Sequence, residues 1–521
     1  MKRFLQRLTG NVLGSLSGFD RLRFRGTKRL LASVKGMLSY LWQMDLLLKD
    51  FKAHALSMTE QIRAATEQAA QAAGRPVQYL PSSSQSKEEL ARQIAARDGI
   101  RAGLIAVFSC VEPCWSYEIH RNRSHQHIEL QGGQRKCLHY YHYFLDPQLG
   151  FLHARLQTWF PFSMHICLNG REWLARQMQA TGISYVQRDN CFVAVSDCVR
   201  AQTLLDQQLR VDWPSLLEEI AQRVNPVQEQ MLAACPVPYY WSVDQSEWAT
   251  DVLFRSAADL AQWYPRWLRF GMESLHSRDV MRFLGRKVPA EGYGRGNFTS
   301  EVVTDLKERP EGIRLKHRLN NNSIKMYDKQ GSVLRVETTI NDARDMKVYR
   351  PKEGDETGAK QWRYLRKGVA DLHRRAQVSQ AANERYLESL AAVEETTPLG
   401  ELAASLCQPV RWQGRRVRAL NPLAADDAAL LAAVNRGEFA INGFRNRDLR
   451  ELLFGSAEVS AQEARRQSSK VTRQLRLLRG HRLIRKVPKT HRYVLSDKGR
   501  QSIAALLAAR QANTATLTQA A

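Results

Sequence analysis

The chain has 521 residues, enough for several domains and a sizeable core. Lysine and arginine outnumber aspartate and glutamate by 77 to 52, a formal charge of +25, which favours a polyanionic partner. There is no run of about 18 apolar residues, as a membrane span requires, no apolar block with a cleavage site behind Lys2, Arg3 and Arg7, and the 8 cysteines are scattered; the expectation is a soluble, cytoplasmic protein with free thiols and no membrane partner.

The pattern predicts an α+β multidomain chain. Residues 1–97 read as a basic helical region: Leu31, Val34, Leu38, Leu41 and Trp42 recur at helical spacing, and Arg21, Arg23, Arg25, Lys28 and Arg29 lie close together. Gly74 through Pro81 and Ser82-Ser83-Ser84 has loop composition. Residues 98–200 form an α+β region rich in histidine and cysteine. Leu104 to Cys110 is a short apolar run, and His139 to Leu168 reads as strands broken at Asp146-Pro147, Gly150 and Pro161. Asn169-Gly170 then turns the chain into a helix from Arg171 to Ala180, stopped near Gly182.

This region holds several candidate sites. Cys110, Cys114, Cys137 and His139 have a spacing that can close a tetrahedral zinc site, although reduced cysteines on apolar strands give the same letters. The histidine pairs His125-x-His127 and His139-x₂-His142 invite comparison with a nickase histidine motif, but that motif wants an apolar middle residue on a strand and Gln126 lies between the first pair in a polar stretch. His153, Arg155, Gln157 and Trp159 alternate along one strand, as a nucleic-acid platform or a solvated sheet face would. Glu112, Glu118 and Asp146 are scattered carboxylates of the same region.

Residues 201–285 read as helical, with Trp248, Trp263, Tyr264 and Trp267 packing a core. Residues 286–395 read as a β-hairpin region followed by a basic helix, Asp371 to Val393, with Arg363, Arg366, Lys367, Arg374 and Arg375 around its start. Gly292, Gly294 and Gly296 lack the spacing of a dinucleotide loop. From Gly312 to Ile340 the period is two. Ile324 and Met326 share one face with Leu334 and Val336, and the other face collects Lys325, Tyr327, Arg335 and Glu337, with Arg314, Lys316 and Arg318 from the strand before. Cations, a tyrosine and a carboxylate on one face suit phosphodiester chemistry.

The pair "IKMYDK" and "LRVE" resembles the tyrosine-bearing strands of rolling-circle replication initiators and relaxases of the replication-initiation-factor type. The resemblance implies Tyr327 as nucleophile, Glu337 as ligand of magnesium or manganese, and Arg335 and Lys325 as phosphate contacts. The other reading is a non-catalytic hairpin in which the tyrosine packs and Arg335 and Glu337 serve as ion-pair partners.

Residues 396–440 read as a linker and 441–521 as a C-terminal module with a frayed tail. A first helix from Asn446 to Gly455, a short one over Ala461 to Arg466, and a third over Lys470 to Arg479 capped by Ser468 or Ser469 precede a hairpin around Pro488-Lys489-Thr490-His491. Val471, Leu475 and Leu478 mark the buried side of the third helix, and Ser469, Arg473 and Arg476 the outward side. Residues 441–500 carry 16 Lys/Arg against 5 Asp/Glu. This succession resembles winged-helix DNA-binding domains, which implies Ser469, Lys470, Arg473, Arg476, Lys489 and Arg492 as DNA contacts; winged helices also dock proteins. The expected function is DNA binding in a mobile element, with metal-dependent strand nicking and joining in replication initiation, transfer or transposition. The alternatives are a non-enzymatic DNA-binding regulator or structural factor, and an RNA-binding protein that stacks bases near Trp159.

Overall fold

Arginine alternates with apolar residues in Arg21-Leu22-Arg23-Phe24-Arg25, a period that suits a strand with one buried face. In the computed structural model this segment belongs to β1 (Val12–Lys28), preceded by a short helix, α1 (Lys2–Arg7). The basic helix expected here is therefore a strand: Leu22 and Phe24 are buried, and Arg21 and Arg23 are exposed. The structure describes residues 1–521 except 82–85, 123–126, 287–301, 353, 356, 392–398, 437–438, 440–442, 456–458, 489 and 512–521. Serines 82–84, His125 and the Gly292 to Gly296 loop thus lie outside the described residues. Two compact units, each assembled from separate stretches, make up the chain. Both mix helices with sheet, as expected of an α+β chain.

The first unit comprises Leu13–Leu253 and Glu337–Gln380. After β1, the helical spacing around Leu38 holds in α2 (Val34–Gln43), and α3 (Phe51–Ala72), β2 (Val77–Tyr79) and α4 (Lys87–Arg97) follow. An antiparallel meander comes next: β3 (Gly103–Asn122), β4 (His127–Asp146), β5 (Gly150–Gln157) and β6 (Met164–Asn169), the last pairing back onto β1. Asn169 caps α5 (Gly170–Ala180) by accepting from the Arg171 and Glu172 amides. A Cβ on Gly170 would overlap the Phe19 carbonyl, so only glycine lets the start of α5 sit against β1.

The hairpin β7 (Tyr185–Arg188) and β8 (Cys191–Val195) leads to α6 (Cys198–Asp206), α7 (Trp213–Val224) and α8 (Gln228–Met231). Then comes β9 (Tyr239–Phe254), a strand inside the region read as helical. Its aromatic and β-branched composition favours the extended form, and Trp248 packs edge-on to Phe19 at 4.8 Å. Strand order in this unit is β13, β9, β1, β6, β5, β4, β3, β2, with β13 (Val333–Ile340) contributing from Glu337 onward.

The succession then recurs. As β1 leads through helices into a meander, so β9 leads through α9 (Ala257–Glu273) and α10 (Ser277–Phe283) into β10 (Val302–Arg309), β11 (Gly312–Leu319), β12 (Asn322–Lys329) and β13. Each long first strand neighbours the last strand of its meander, β1 beside β6 and β9 beside β13. A small hairpin, β14 (Lys347–Arg350) and β15 (Gln361–Tyr364), precedes the closing helix α11 (Leu372–Leu390).

In the second unit, Met1–Val12, Phe254–Val336 and Ala381–Ala521, α9 is tied to the meander by Tyr264, whose hydroxyl donates to the Ile313 and Met326 carbonyls at 2.6 and 3.3 Å. The rest of this unit is the C-terminal module: α12 (Leu399–Leu406), β16 (Val410–Trp412), β17 (Arg415–Val417), α13 (Ala425–Val434), α14 (Asn446–Phe454), α15 (Ala461–Gly480), β18 (Ile484–Lys486), β19 (Tyr493–Leu495) and α16 (Asp497–Gln511). The linker expected over 396–440 is folded: Leu402, Leu406, Val417, Leu430 and Val434 join Val471, Leu475 and Leu478 in one core. Its prolines and polar residues had suggested a connector, yet the leucines between them are buried.

The two helices expected over 461–479 are one, because no glycine or proline breaks the run between Ser460 and Gly480. Ser460 caps it by accepting from the Glu463 amide at 3.3 Å. Asn446 is the first residue of α14, with Arg445 at the cap position. The Asn446 side-chain amide donates to the Ser468 carbonyl at 2.9 Å and the Thr472 hydroxyl at 3.0 Å, which fixes α14 against α15.

Candidate functional site

Three neighbouring strands of the first unit bring three carboxylates together. Asp20 on β1, Glu247 on β9 and Glu337 on β13 each offer an oxygen within 4.8 Å of the other two. Asp20 and Glu337 are buried and Glu247 is half-buried. Asn190, at the β7–β8 turn, donates to both Asp20 oxygens at 2.9 and 2.8 Å, and Asn169 donates to Asn190 at 3.2 Å. The side chain of Asp20 is thereby fixed in direction. Arg171, fully buried at the start of α5, lies 3.8 Å from Asp20 and 2.9 Å from Asp251, and donates to the Ala249 carbonyl. Gln245 donates to Glu247 at 3.0 Å.

At this separation or closer, two ionised carboxylates repel by about 3.5 kcal/mol or more for an effective dielectric near 20. An all-oxygen donor set suits a hard divalent cation, magnesium or manganese, which would relieve that repulsion. Glu337, the metal ligand implied by the family resemblance, is thus grouped with two acids the sequence reading did not select. Glu112, Glu118 and Asp146 do not join it. Glu112 pairs with Lys87 and Arg155, Glu118 with Arg135, and Asp146 with Arg223.

Tyr327, Lys325 and Arg335 belong to the second unit and are buried, Arg335 fully. The register sets Tyr327 opposite Arg314, Lys325 opposite Lys316 and Ser323 opposite Arg318, so the cationic face read from the alternation exists on β11 and β12. Arg314 also reaches Asp305 at 3.2 Å.

The zinc site expected at Cys110, Cys114, Cys137 and His139 is not formed. Cys110 lies opposite His139 and the Cys114 and Cys137 thiols meet each other, but the four do not converge as one ligand set. The Cys110 thiol donates to Glu112 at 3.0 Å, and the two ring nitrogens of His139 meet the Cys137 carbonyl and Arg155. Among the described residues, the carboxylate trio is the cluster of at least three metal-ligating groups. Nor is the strand near Trp159 an open stacking surface. Gln157 is buried on the Trp115 and Phe160 carbonyls, and half-buried Trp159 donates to the Tyr117 carbonyl.

In the C-terminal module, α15 buries Val471, Leu475 and Leu478 and exposes Ser469, Lys470 and Arg473, with Arg476 half-buried. The β18–β19 hairpin exposes Arg485 and Lys486, which the sequence reading had not singled out, and holds Arg492 half-buried beside them. Lys489, at its tip, lies outside the described residues. Phe444 bridges to Tyr493, and a Cβ on Gly443, whose φ is 64°, would overlap the Tyr493 carbonyl. Glycine thus lets the backbone at Phe444 lie against the hairpin.

Compared with family models, curated proteins and solved structures, the chain matches none. Among the described residues, no helix is long and apolar enough to cross a membrane.

Proposed function

We propose that the chain is a DNA-binding protein that grips duplex through its C-terminal module, read as a winged helix. The observation that carries this is α15: an apolar stripe anchors it while Ser469, Lys470, Arg473 and Arg476 lie away from that core, next to a hairpin with exposed Arg485 and Lys486. The succession α13, Phe444 bridge, α14, α15, β18–β19 supports the same reading, since a recognition helix followed by a wing is how such modules enter a major groove and hold the flanking backbone. Titrating the full chain with duplex DNA at rising salt tests it. A steep fall of affinity with salt is expected, and salt-independent or absent binding overturns it.

A second reading, metal-dependent strand nicking and joining in a mobile element, is favoured by the carboxylate trio. Asp20, Glu247 and Glu337 would hold magnesium or manganese, which stabilises charge developing on a phosphodiester. Manganese binding to the full chain is followed by electron paramagnetic resonance. Asp20→Asn is expected to weaken it at least tenfold, and unchanged affinity removes the trio from the reading.

A further inference from the structure

The arginines of β1 have a use that neither the carboxylate trio nor the C-terminal module supplies. Register sets Arg21 opposite Asn169 and Arg23 opposite Cys167, with His153 also opposite Cys167 and Arg155 opposite His165. Directly paired residues share a sheet face. Helix α4 borders this face through Arg92, whose guanidinium lies 4.0 Å above Phe151, and a cavity of about 300 Å³ opens there, lined by Arg21, Arg23, His153, Arg155 and His165.

Most charge around the cavity is already matched. Arg92 pairs with Glu88 at 3.2 Å and Glu172 at 3.4 Å, and Arg155 with Glu112 at 3.0 Å, while His165, whose pKa burial lowers, lies 3.3 Å from Asp244. Burial holds His153 neutral at pH 7, its pKa lowered to about 4. Arg21 and Arg23 differ: both are exposed, and among the described residues neither has a carboxylate at ion-pair distance. Two residues apart on one strand, their Cα atoms are about 6.7 Å apart, close enough for two long guanidinium forks to converge on one tetrahedral anion. The carboxylates of Glu247, Glu88 and Asp20 act electrostatically on Arg21 and that of Asp244 on Arg23, at distances beyond an ion pair.

We propose that this cavity binds a phosphoryl group, held by Arg23 and Arg21. It deepens the nucleic-acid reading by giving the first unit a phosphate site of its own. The same chemistry is offered by a free nucleotide and by the 5′-phosphate of a strand.

Isothermal titration of the full chain with inorganic phosphate, adenosine monophosphate, and a short single strand bearing either a 5′-phosphate or a 5′-hydroxyl tests it. The three phosphate-bearing probes are expected to bind, with the 5′-hydroxyl strand at least tenfold weaker than its phosphorylated form. A higher affinity for the strand than for the mononucleotide identifies nucleic acid as the source, and the reverse identifies a free nucleotide. Arg23→Gln is expected to cost about tenfold or more, and the Arg21→Gln/Arg23→Gln pair more again, since each removes a charge-assisted contact. Thermal unfolding of these surface variants should stay unchanged. Arg473→Gln/Arg476→Gln should leave phosphate binding intact while weakening duplex binding, which separates the failure of one reading from the other. No binding of any phosphate probe at millimolar concentration, or wild-type affinity in the Arg21/Arg23 pair, overturns the proposal.

Discussion

Replacing Arg473 and Arg476 together by glutamine removes two guanidinium groups from α15 without touching the stripe that anchors it. Arg473 is exposed and Arg476 half-buried, whereas Val471, Leu475 and Leu478 between and beside them are buried, so the module should fold as before. Each phosphate contact contributes about 0.9 to the slope of log affinity against log salt. If both arginines contact phosphate, the slope falls by roughly 1.8; if one reads a base edge, it falls by roughly 0.9 and sequence preference relaxes. With about 1.5 kcal/mol for each charge-assisted contact, affinity at low salt drops on the order of a hundredfold. Fluorescence anisotropy of labelled duplexes between 50 and 300 mM salt measures both quantities, with circular dichroism as the check on folding. An unchanged slope with retained affinity would refute the assignment of α15 as the DNA-facing helix.

Tyr327→Phe tests the nucleophile implied by the family resemblance: wild type with manganese should yield a covalent protein–DNA adduct on supercoiled or single-stranded DNA, and the variant none. An adduct that survives the substitution moves the chemistry elsewhere. Arg171→Met leaves Asp251 and Asp20 buried without their guanidinium, and urea unfolding should show a loss of about 3–5 kcal/mol; a loss below about 1 kcal/mol would mean that water or another cation replaces it. Glu112 supplies a pH dependence. Burial works to raise its pKa, but hydrogen bonds from Cys110 and Tyr141 and the charges of Arg155 and Lys87 outweigh it and hold the value at about 2, below the ordinary 4.5. Its contribution is therefore complete above pH 4.5 and fades as the pH falls towards 2. Between pH 5 and 3 wild type should lose roughly 2 kcal/mol more than Glu112→Gln, and parallel stability curves for the two proteins contradict the network.

What the sequence disclosed follows from how local each signal is. The cap at Asn169, the turn at Gly150 and the alternation from Gly312 to Ile340 need only adjacent residues, and each has its expected place. β1 is a strand where a helix is expected because the helical spacing of Leu31 to Trp42 does not extend back across Arg21 to Lys28, where the period is two. β9 departs from the helical expectation for a related reason: helices flank it, and the tryptophans at 248, 263 and 267 look alike in sequence although the first is on a strand and the others on α9. In the C-terminal module, Ser468-Ser469 suggested a cap, but serine alone does not end a helix whose apolar stripe continues from Val471 to Leu478.

Asp20 and Glu247 could not be found this way, since their meaning is topological. The recurrence of a long strand leading into a meander sets β1 beside β9, and β13 returns to β9, so three acids from distant segments converge. Their convergence is not explained by the needs of Arg171 alone. That guanidinium has a nearer partner in Asp251, at 2.9 Å against 3.8 Å for Asp20. A third acid beside Glu247 and Glu337 gathers three oxygen donors of the kind a divalent cation takes. Arg21 follows Asp20 directly, and Gln245, which lines the β1 cavity, donates to Glu247. Consecutive residues of a strand point to opposite faces, so the link between a phosphate held by the β1 arginines and the carboxylates runs through Glu247, whose charge acts on Arg21 and which accepts from Gln245 at the cavity wall.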